Sequence, residues 1–394
     1  MSTFRPTQQP FDWRTIAALN AVSALAQVGQ FGVAYVVLPV WLAEQGLDAT
    51  QLGLFASSLW LGQLPGLAVA PWLCQRLGAR RVIILALLCT VIALVGIAFT
   101  AWPFWLVGGA LAGFGLGLRW IGLEPWLYRI APAEARGRLV GFHETLIALA
   151  PIVAPALASA LGLHGMALFW VGCVFTLAAL LPLALARKEP AHSAPVAHRG
   201  VHVDLALQLR ERVFIFGVAI ALVGGMMEAA LSGLFALFAY GRGITGSQTT
   251  DLLALFGLGG LLLQYPVGWL ADHRGVGVAA LWCAVGTVLV CAALALPMGY
   301  MLMMFAVFLL GGLITAFLTL ALIASTTTQS GTMASNVSLI SMLYTLSAVA
   351  GPLIAGTVMK ASGTDALMWS IAAAALVLAF VLAWLMRAKQ SSLA

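Results

Sequence analysis

Apolar segments long enough to cross a lipid bilayer recur along the whole chain. A bilayer core is crossed by about 20 apolar residues of helix, and helices satisfy their own backbone hydrogen bonds there. The sequence therefore predicts an all-α polytopic membrane protein with twelve transmembrane helices. The spans are predicted at 15–42, 51–74, 82–101, 104–127, 139–162, 165–186, 213–240, 250–271, 278–298, 300–324, 335–360 and 366–386.

The scarcity of charge agrees with this class. Only 8% of the 394 residues are charged and 62% are hydrophobic, whereas about a quarter of a soluble protein is charged. A soluble enzyme, a disordered chain and a disulfide-stapled secreted domain are thereby excluded. The 5 cysteines lie in apolar runs without paired spacing, so neither disulfides nor a metal site are expected. No Gly-rich nucleotide-binding loop is present and no cofactor is expected.

The positions of Lys and Arg predict the orientation in the membrane. With a cytoplasmic N-terminus, sixteen of the 19 basic residues fall on the cytoplasmic side, Arg242 and Lys360 fall on the other side, and Arg119 lies within a span. This asymmetry predicts that both termini are cytoplasmic. The net charge of +6 then reports topology, so we expect a bilayer partner in the inner membrane and no nucleic acid. A monomer is expected to suffice for function.

One long polar segment divides the chain. Residues 187–212 are rich in Pro, His and charge, which is typical of a cytoplasmic linker. It separates a first bundle of six spans, 1–186, from a second, 213–394. A short amphipathic helix is predicted within the linker around 203–210.

The two halves also share sequence at an offset near 200 residues. Residues 75–78 (QRLG) correspond to 272–275 (DHRG), and 150–154 (APIVA) correspond to 351–355 (GPLIA). Two matches in register, at equivalent helix positions, indicate an internal duplication.

These motifs resemble those of the major facilitator superfamily over essentially the whole chain. Residues 268–275 (GWLADHRG) resemble the family's loop signature, Gly-x-x-x-Asp-Arg-x-Gly. Its first-half copy is degenerate, with Arg76, Gly78 and Arg80 retained but Pro71 and Gln75 in place of Gly and Asp.

Two further segments are similar to bacterial efflux-type members of that family. Residues 124–127 (EPWL) followed by 135–138 (ARGR) resemble their connection between spans four and five. Gly141, Ala150 and Pro151 keep the spacing of the antiporter signature in span five, although Ala150 replaces a glycine.

The resemblance implies two pseudo-symmetric six-helix bundles that rock around a central cavity lined by spans one, four, seven and ten. It also implies that loop contacts on the cytoplasmic side hold the outward-open state; ordinary surface ion pairs are the alternative. The residues expected to gate in this way are Arg76, Gly78, Asp272 and Gly275, with a second contact from Glu124 to Arg136 or Arg138.

Span one carries a polar stripe. Asn20, Ser23, Gln27 and Gln30 recur at i, i+3, i+7 and i+10, which places them on one helix face. Substrate contact, chiefly by Gln27 and Gln30, and interhelical hydrogen bonding are both consistent with this pattern.

Glu228 in span seven is the most informative single residue. It lies near the middle of the membrane, where a carboxylate is costly and its neutral form is favoured. Such a group is suited to carry a proton or to bind a cationic substrate; a purely structural hydrogen bond is the alternative.

Other polar groups inside the spans are candidates with structural alternatives. Arg119 in span four needs an anion, with Glu144, Glu124 or substrate as candidates, and neighbouring Trp120 is placed to stack on a ligand. His143 and Glu144 in span five are secondary proton-coupling candidates. Thr315 in span ten is a candidate cavity residue, although a bond to its own helix explains such a hydroxyl as well.

The sequence thus favours a secondary active transporter that exports a small amphipathic molecule, such as a drug, a secreted metabolite or a siderophore, by proton antiport. Sparse fixed charge and 13 methionines suit such a cargo. Nutrient uptake by symport or uniport is the alternative within transport. A membrane enzyme or a receptor is disfavoured, because no catalytic cluster or soluble sensing domain is evident.

Overall fold

The computed structural model describes residues 12–132, 136–162, 165–187, 208, 211–330 and 333–387. Within these residues, 12 helices are long and apolar enough to cross a membrane, which confirms the predicted fold. They are α1 Trp13–Glu44, α2 Ala49–Leu77, α3 Ala79–Phe99, α4 Trp105–Ile130, α5 Arg138–Leu161, α6 Met166–Leu185, α7 Arg212–Gly241, α8 Gly246–Arg274, α9 Val276–Leu294, α10 Tyr300–Thr327, α11 Ser335–Ser362 and α12 Ala366–Arg387.

The predicted span 278–298 extends four residues beyond α9, which ends at Leu294. Pro297 explains the difference. The residue before a proline avoids helical backbone angles and the proline has no N–H to donate. The apolar residues after Leu294 therefore form a turn although their composition suits a helix.

The middle of α1 departs from an ordinary α-helix. Residues Val28–Val37 form π-helical turns, and at their end the Leu38 N–H donates to the Val33 carbonyl five residues back. Sequence spacing did not indicate this. Wider turns of this kind are uncommon and are frequent at functional sites.

The duplication is visible at both ends of α2 and α8. Asp48 and Thr245 each form a capping box, with Gln51 and Gln248 respectively. The two helices end at Gly78 and Gly275, whose φ angles are +83° and +87°. Glycine is the residue that adopts such angles without strain. The predicted gating glycines thus form matching tight turns into α3 and α9.

Glycines bring the helices of each half into close contact. In the first half Gly62 of α2 lies against the Ala110 backbone of α4, and Gly113 of α4 lies against the Leu59 backbone. In the second half Gly259 and Gly311 pair α8 with α10 in the same manner. Each half therefore contains the same helix pair at backbone contact.

The segment between α6 and α7 is described only in part. Of the predicted linker 187–212, residues 188–207, 209 and 210 lie outside the described residues. The predicted amphipathic helix around 203–210 falls there except for Gln208. The boundaries 1–186 and 213–394 stay predictions.

Candidate substrate pathway

The two halves meet toward one face of the molecule. We call the face at which α1 begins the N-terminal face and the other the opposite face. Four polar contacts join described residues of the two halves, and all lie toward the opposite face. They are Lys360 Nζ to Asp48 at 2.8 Å, Tyr240 to Glu44 at 3.1 Å, Ser159 to Ser247 at 3.1 Å, and Ser57 Oγ to the Val349 carbonyl at 2.7 Å.

Backbone contacts between the halves repeat the duplication. Gly257 of α8 lies against the Pro151 carbonyl of α5, at 2.8 Å from the position of a Cβ, and Gly53 of α2 lies against the Pro352 carbonyl of α11. A larger side chain at either glycine would separate the two bundles. The halves are thus closed against each other through two equivalent helix pairs.

Among the described side chains, no hydrogen bond or ion pair joins the predicted gating residues of the two halves on the N-terminal face. The Arg76 guanidinium lies over the Trp72 ring of its own helix at 4.9 Å, and Asp272 is exposed. Arg138 is also exposed, and the Arg136 side chain lies outside the described residues. This fits a state in which the two halves are not held together at the N-terminal face.

Arg119 of α4 is buried against the polar stripe of α1. Its Nε donates to Gln30 Oε1, its Nη2 donates to Gln27 Oε1, and its Nη1 lies 3.4 Å from Ser23 Oγ. Arg119 and Gln30 are at most 4% exposed. The stripe does share one face, and Gln27 and Gln30 bind Arg119. Of the carboxylates expected to accompany this arginine, Glu124 interacts with it electrostatically.

The stripe continues to His143 of α5. Asn20 Nδ2 donates to the Ile16 carbonyl at 2.9 Å, which turns Oδ1 toward His143 Nδ1 at 3.0 Å. His143 Nδ1 therefore carries the proton of this bond, and buried Nε2 has no partner among the described residues. His143 is thus held by α1 rather than paired with its neighbour Glu144.

A second polar group lies between α4 and α5, toward the N-terminal face. Tyr128 donates to Glu144 at 3.2 Å. Glu124 interacts electrostatically with Glu144 and Arg119, and the Trp120 side chain lies beside its carboxyl. Glu124 thus takes part in interactions within its own bundle, and the predicted contact to Arg136 falls on a side chain outside the described residues.

Glu228 lies in the middle of α7, and its carboxyl accepts a hydrogen bond from the Tyr344 hydroxyl of α11. Glu228 is half-buried, whereas Tyr344 is 4% exposed. No hydrogen bond or ion pair between described residues joins Glu228 to a cation. Its carboxylate is thus held by a neutral donor and can still accept a proton or a cation.

Thr315 of α10 is half-buried and bonds to its own helix, which is the structural alternative to a cavity position. Its hydroxyl donates to the Gly311 carbonyl of its own helix at 2.8 Å, and its side chain lies 3.0 Å from the position of a Cβ on Gly260 of α8. Thr315 therefore packs at the contact between α8 and α10.

Sequence reasoning missed Tyr344, Tyr128 and Thr90. Thr90 accepts a hydrogen bond from Gln30 Nε2 at 2.7 Å. The side-chain amide of Gln30 therefore donates to Thr90 while its oxygen accepts from Arg119. Only the facing helix shows what these hydroxyls bind. A Tyr or Thr within a span, in a chain whose spans carry Glu and Arg, was the available signal.

Known proteins that are similar to this chain belong to one family of membrane transporters. A family model described as Major Facilitator Superfamily matches residues 21–335 and 218–393. A relative described as an uncharacterized MFS-type transporter, from Yersinia pestis (strain Pestoides F), is 26% identical over 350 residues, which cover 86% of this chain and 88% of the relative. The MFS-type transporter YcaD of Escherichia coli (strain SE11) is 27% identical over 244 residues, 61% of this chain and 62% of its own length.

Two solved structures share the architecture. The nucleoside transporter NupG has a TM-score of 0.77 at 16% identity, covering 94% of this chain and 99% of that one. A D-xylose-proton symporter also has a TM-score of 0.77, at 15% identity, covering 95% of this chain and 97% of that one. At these identities the likeness is one of fold.

Proposed function

Because the chain belongs to the major facilitator superfamily, whose fold and relatives are those of membrane transporters, we propose that it is a proton-driven exporter of a small amphipathic organic molecule. The observation that carries the proposal is Glu228, a half-buried carboxyl near mid-membrane that is bonded by Tyr344 and by no described cation.

The depth of Glu228 supports a coupling role. It stands sixteen residues after Arg212 and thirteen before Gly241 in α7, hence about 24 Å along the helix at 1.5 Å per residue. A site at this depth can be reached from either face as the bundles rock. Proton and cargo then compete for one carboxylate, which is the requirement for exchange.

The orientation is compatible with export from the cytoplasm. The excess of Lys and Arg predicts that the N-terminal face is cytoplasmic, so the four contacts between the halves would close the outer face. In the inner membrane of a bacterial cell, an exporter collects its cargo in this conformation, and an importer releases its cargo in it. Release outside then requires those four contacts to break.

The composition of the pathway supports an amphipathic cargo. Arg119, the one arginine that the sequence places inside a span, is buried and already bound to Gln27 and Gln30. Few polar groups are thus left to a ligand, and 62% of the residues in the chain are hydrophobic. A weakly polar molecule with one ionisable or hydrogen-bonding group fits such a pathway.

The test uses inverted membrane vesicles with an imposed pH gradient, acid inside, and a pH-sensitive dye. Fluorescent amphipathic compounds are added in turn, and we expect one class to accumulate inside while protons leave. Glu228→Gln abolishes that exchange, with Thr357→Val as an exposed control that keeps it. Substrate-linked proton flux that persists in Glu228→Gln contradicts the proposal. Flux of both species in the same direction indicates symport instead.

A further inference from the structure

We infer that Tyr344 is a positioning residue that sets the pH at which Glu228 exchanges its proton. The inference rests on the proposed function and extends it to a residue on a different helix. Its basis is the hydrogen bond from the Tyr344 hydroxyl to the Glu228 carboxyl and the packing that holds the phenol in place.

Close packing of α7 on α11 fixes the phenol. Gly225 of α7 lies against the Tyr344 carbonyl, and Gly351 of α11 lies against the Met226 backbone. Because neither glycine has a Cβ, the two helices approach to backbone contact around Glu228. Tyr344 thereby reaches the carboxyl from the adjacent helix.

A second contact maintains the same helix register. Ser347 stands three residues after Tyr344. Its hydroxyl donates to the Ala221 carbonyl of α7 at 3.3 Å. The ring of Tyr344 also lies 3.3 Å from the position of a Cβ on Gly224. The phenol is therefore confined on both sides, and its hydroxyl has one accessible acceptor.

The surroundings of Glu228 leave Tyr344 without a competitor. The helices that pack on α7, besides α11, include α1, α2, α8, α9, α10 and α12. No charged residue occurs in α9 or α10, and the charged residues of α1, α2 and α12 lie in their end turns. In α8 the charged residues and the histidine lie in the second turn and the last turn, at Asp251, Asp272, His273 and Arg274. Tyr344 is accordingly the only titratable or charged group described in hydrogen-bonding contact with Glu228.

The chemistry of the bond gives its direction. A phenol donates to a carboxylate more strongly than to a carboxylic acid, so the bond favours the ionised form. Removing the donor leaves the carboxylate of Glu228 without that support. Proton uptake then occurs at higher pH, and the site stays protonated over a wider pH range.

The decisive experiment is the pH profile of Tyr344→Phe. Proton exchange driven by the compound that wild-type protein transports is measured in vesicles between pH 5 and 9. We expect the half-maximal pH to rise by about one to two units, the value of one hydrogen bond to a charged group. Tyr35→Phe is the matched control, because it removes a buried hydroxyl that bonds Leu59 and Gln63, and it keeps the wild-type midpoint.

The possible outcomes distinguish a failure of the proposed function from a failure of the role of Tyr344. If Glu228→Gln retains proton-linked transport, the proposed function fails. If Glu228→Gln is inactive but Tyr344→Phe keeps the wild-type midpoint, only the role of Tyr344 is overturned. A lower rate at an unchanged midpoint counts against the inference as well, since a merely structural role predicts that result.

Discussion

Arg119 keeps its charge in an apolar interior by binding neutral oxygens. Its hydrogen bonds go to the side-chain amides of Gln27 and Gln30, with Ser23 close by. These acceptors orient the guanidinium without cancelling its charge. A buried charge without acceptors is strongly destabilising, so the amides are needed for the bundle to fold with this arginine inside.

Replacement of Gln30 by Leu tests that role. The substitution removes an acceptor of Arg119 and the donor to Thr90 while keeping the side-chain volume. We expect the free energy of unfolding to fall by about 1.5–3 kcal/mol, the range for hydrogen bonds to charged groups. Thermal unfolding of purified protein in detergent measures it. An unchanged midpoint, equal to that of exposed Thr357→Val, is the contrary result.

The sequence predicted which side chains share a face but not what they bind. The spacing from Asn20 to Gln30 predicted one polar stripe on α1, and the structure confirms it. Arg119 lies 89 residues from Gln30 in the chain, and Tyr344 lies 116 residues from Glu228. Pairings over such separations depend on how helices pack, and periodicity within one helix carries no information about them.

Among the elements, the glycine contacts between α2 and α4 give a sharp test. A Cβ on Gly113 would collide with the Leu59 carbonyl, whereas nothing lies within 4 Å of one on Gly96 in α3. Gly113→Leu must therefore push α4 away from α2, and overpacking of this kind costs about 1–3 kcal/mol or more.

We expect Gly113→Leu to lower the melting temperature and the yield of monodisperse protein in size-exclusion chromatography. Gly96→Leu introduces the same side chain into a neighbouring helix and is expected to behave as wild type. Equal behaviour of the two variants would show that the α2 to α4 contact tolerates separation.

The spans themselves were predictable because lipid imposes one simple requirement on every element. Length, apolar content and the Gly or Pro at each break located all twelve helices within a few residues. The π-helical turns of Val28–Val37 were beyond the same reasoning. Their hydrogen bonds depend on the packing of α1, and the sequence VGQFGVAYVV is equally compatible with an ordinary helix.

For the whole molecule, the four contacts at the opposite face define one conformation that a crosslink can hold. The hydroxyls of Ser159 and Ser247 are 3.1 Å apart, so cysteines at both positions would bring their sulfur atoms close together, as a disulfide requires. We expect the variant with Ser159→Cys and Ser247→Cys to lose transport on oxidation and to regain it on reduction. Each single variant is the control, and transport that continues in fully crosslinked protein contradicts alternating access through this face.

The ion pair of Asp48 and Lys360 is not the site of pH sensing. The Lys360 ammonium, and then the Gln51 backbone N–H, hold the pKa of Asp48 below its ordinary value. A carboxylate with a lowered folded-state pKa contributes stability above its unfolded value near 3.9, and that stability is lost as pH falls through the folded value.

The pair is therefore intact across the working range of a transporter. We expect the closed fraction at the opposite face, read from the rate of Ser159→Cys and Ser247→Cys crosslinking corrected for thiolate content, to be constant from pH 5.5 to 8. In Lys360→Gln that fraction falls at every pH in this range. A wild-type fraction that changes with pH while that of Lys360→Gln stays constant would show that the pair of Asp48 and Lys360 responds to protons.

The matching capping boxes and glycine turns of α2 and α8 give the molecule two equivalent copies of the same local structure. A change at Gly78 has a counterpart at Gly275, 197 positions later, in the same turn and the same membrane. A loss of stability or transport caused by equivalent substitutions at both positions reports on structure that the duplication copied. A loss seen at only one position reports on features that one half acquired after the halves diverged, such as the ion pair of Asp48 with Lys360. Comparing paired substitutions thus separates inherited architecture from acquired transport chemistry without a second protein.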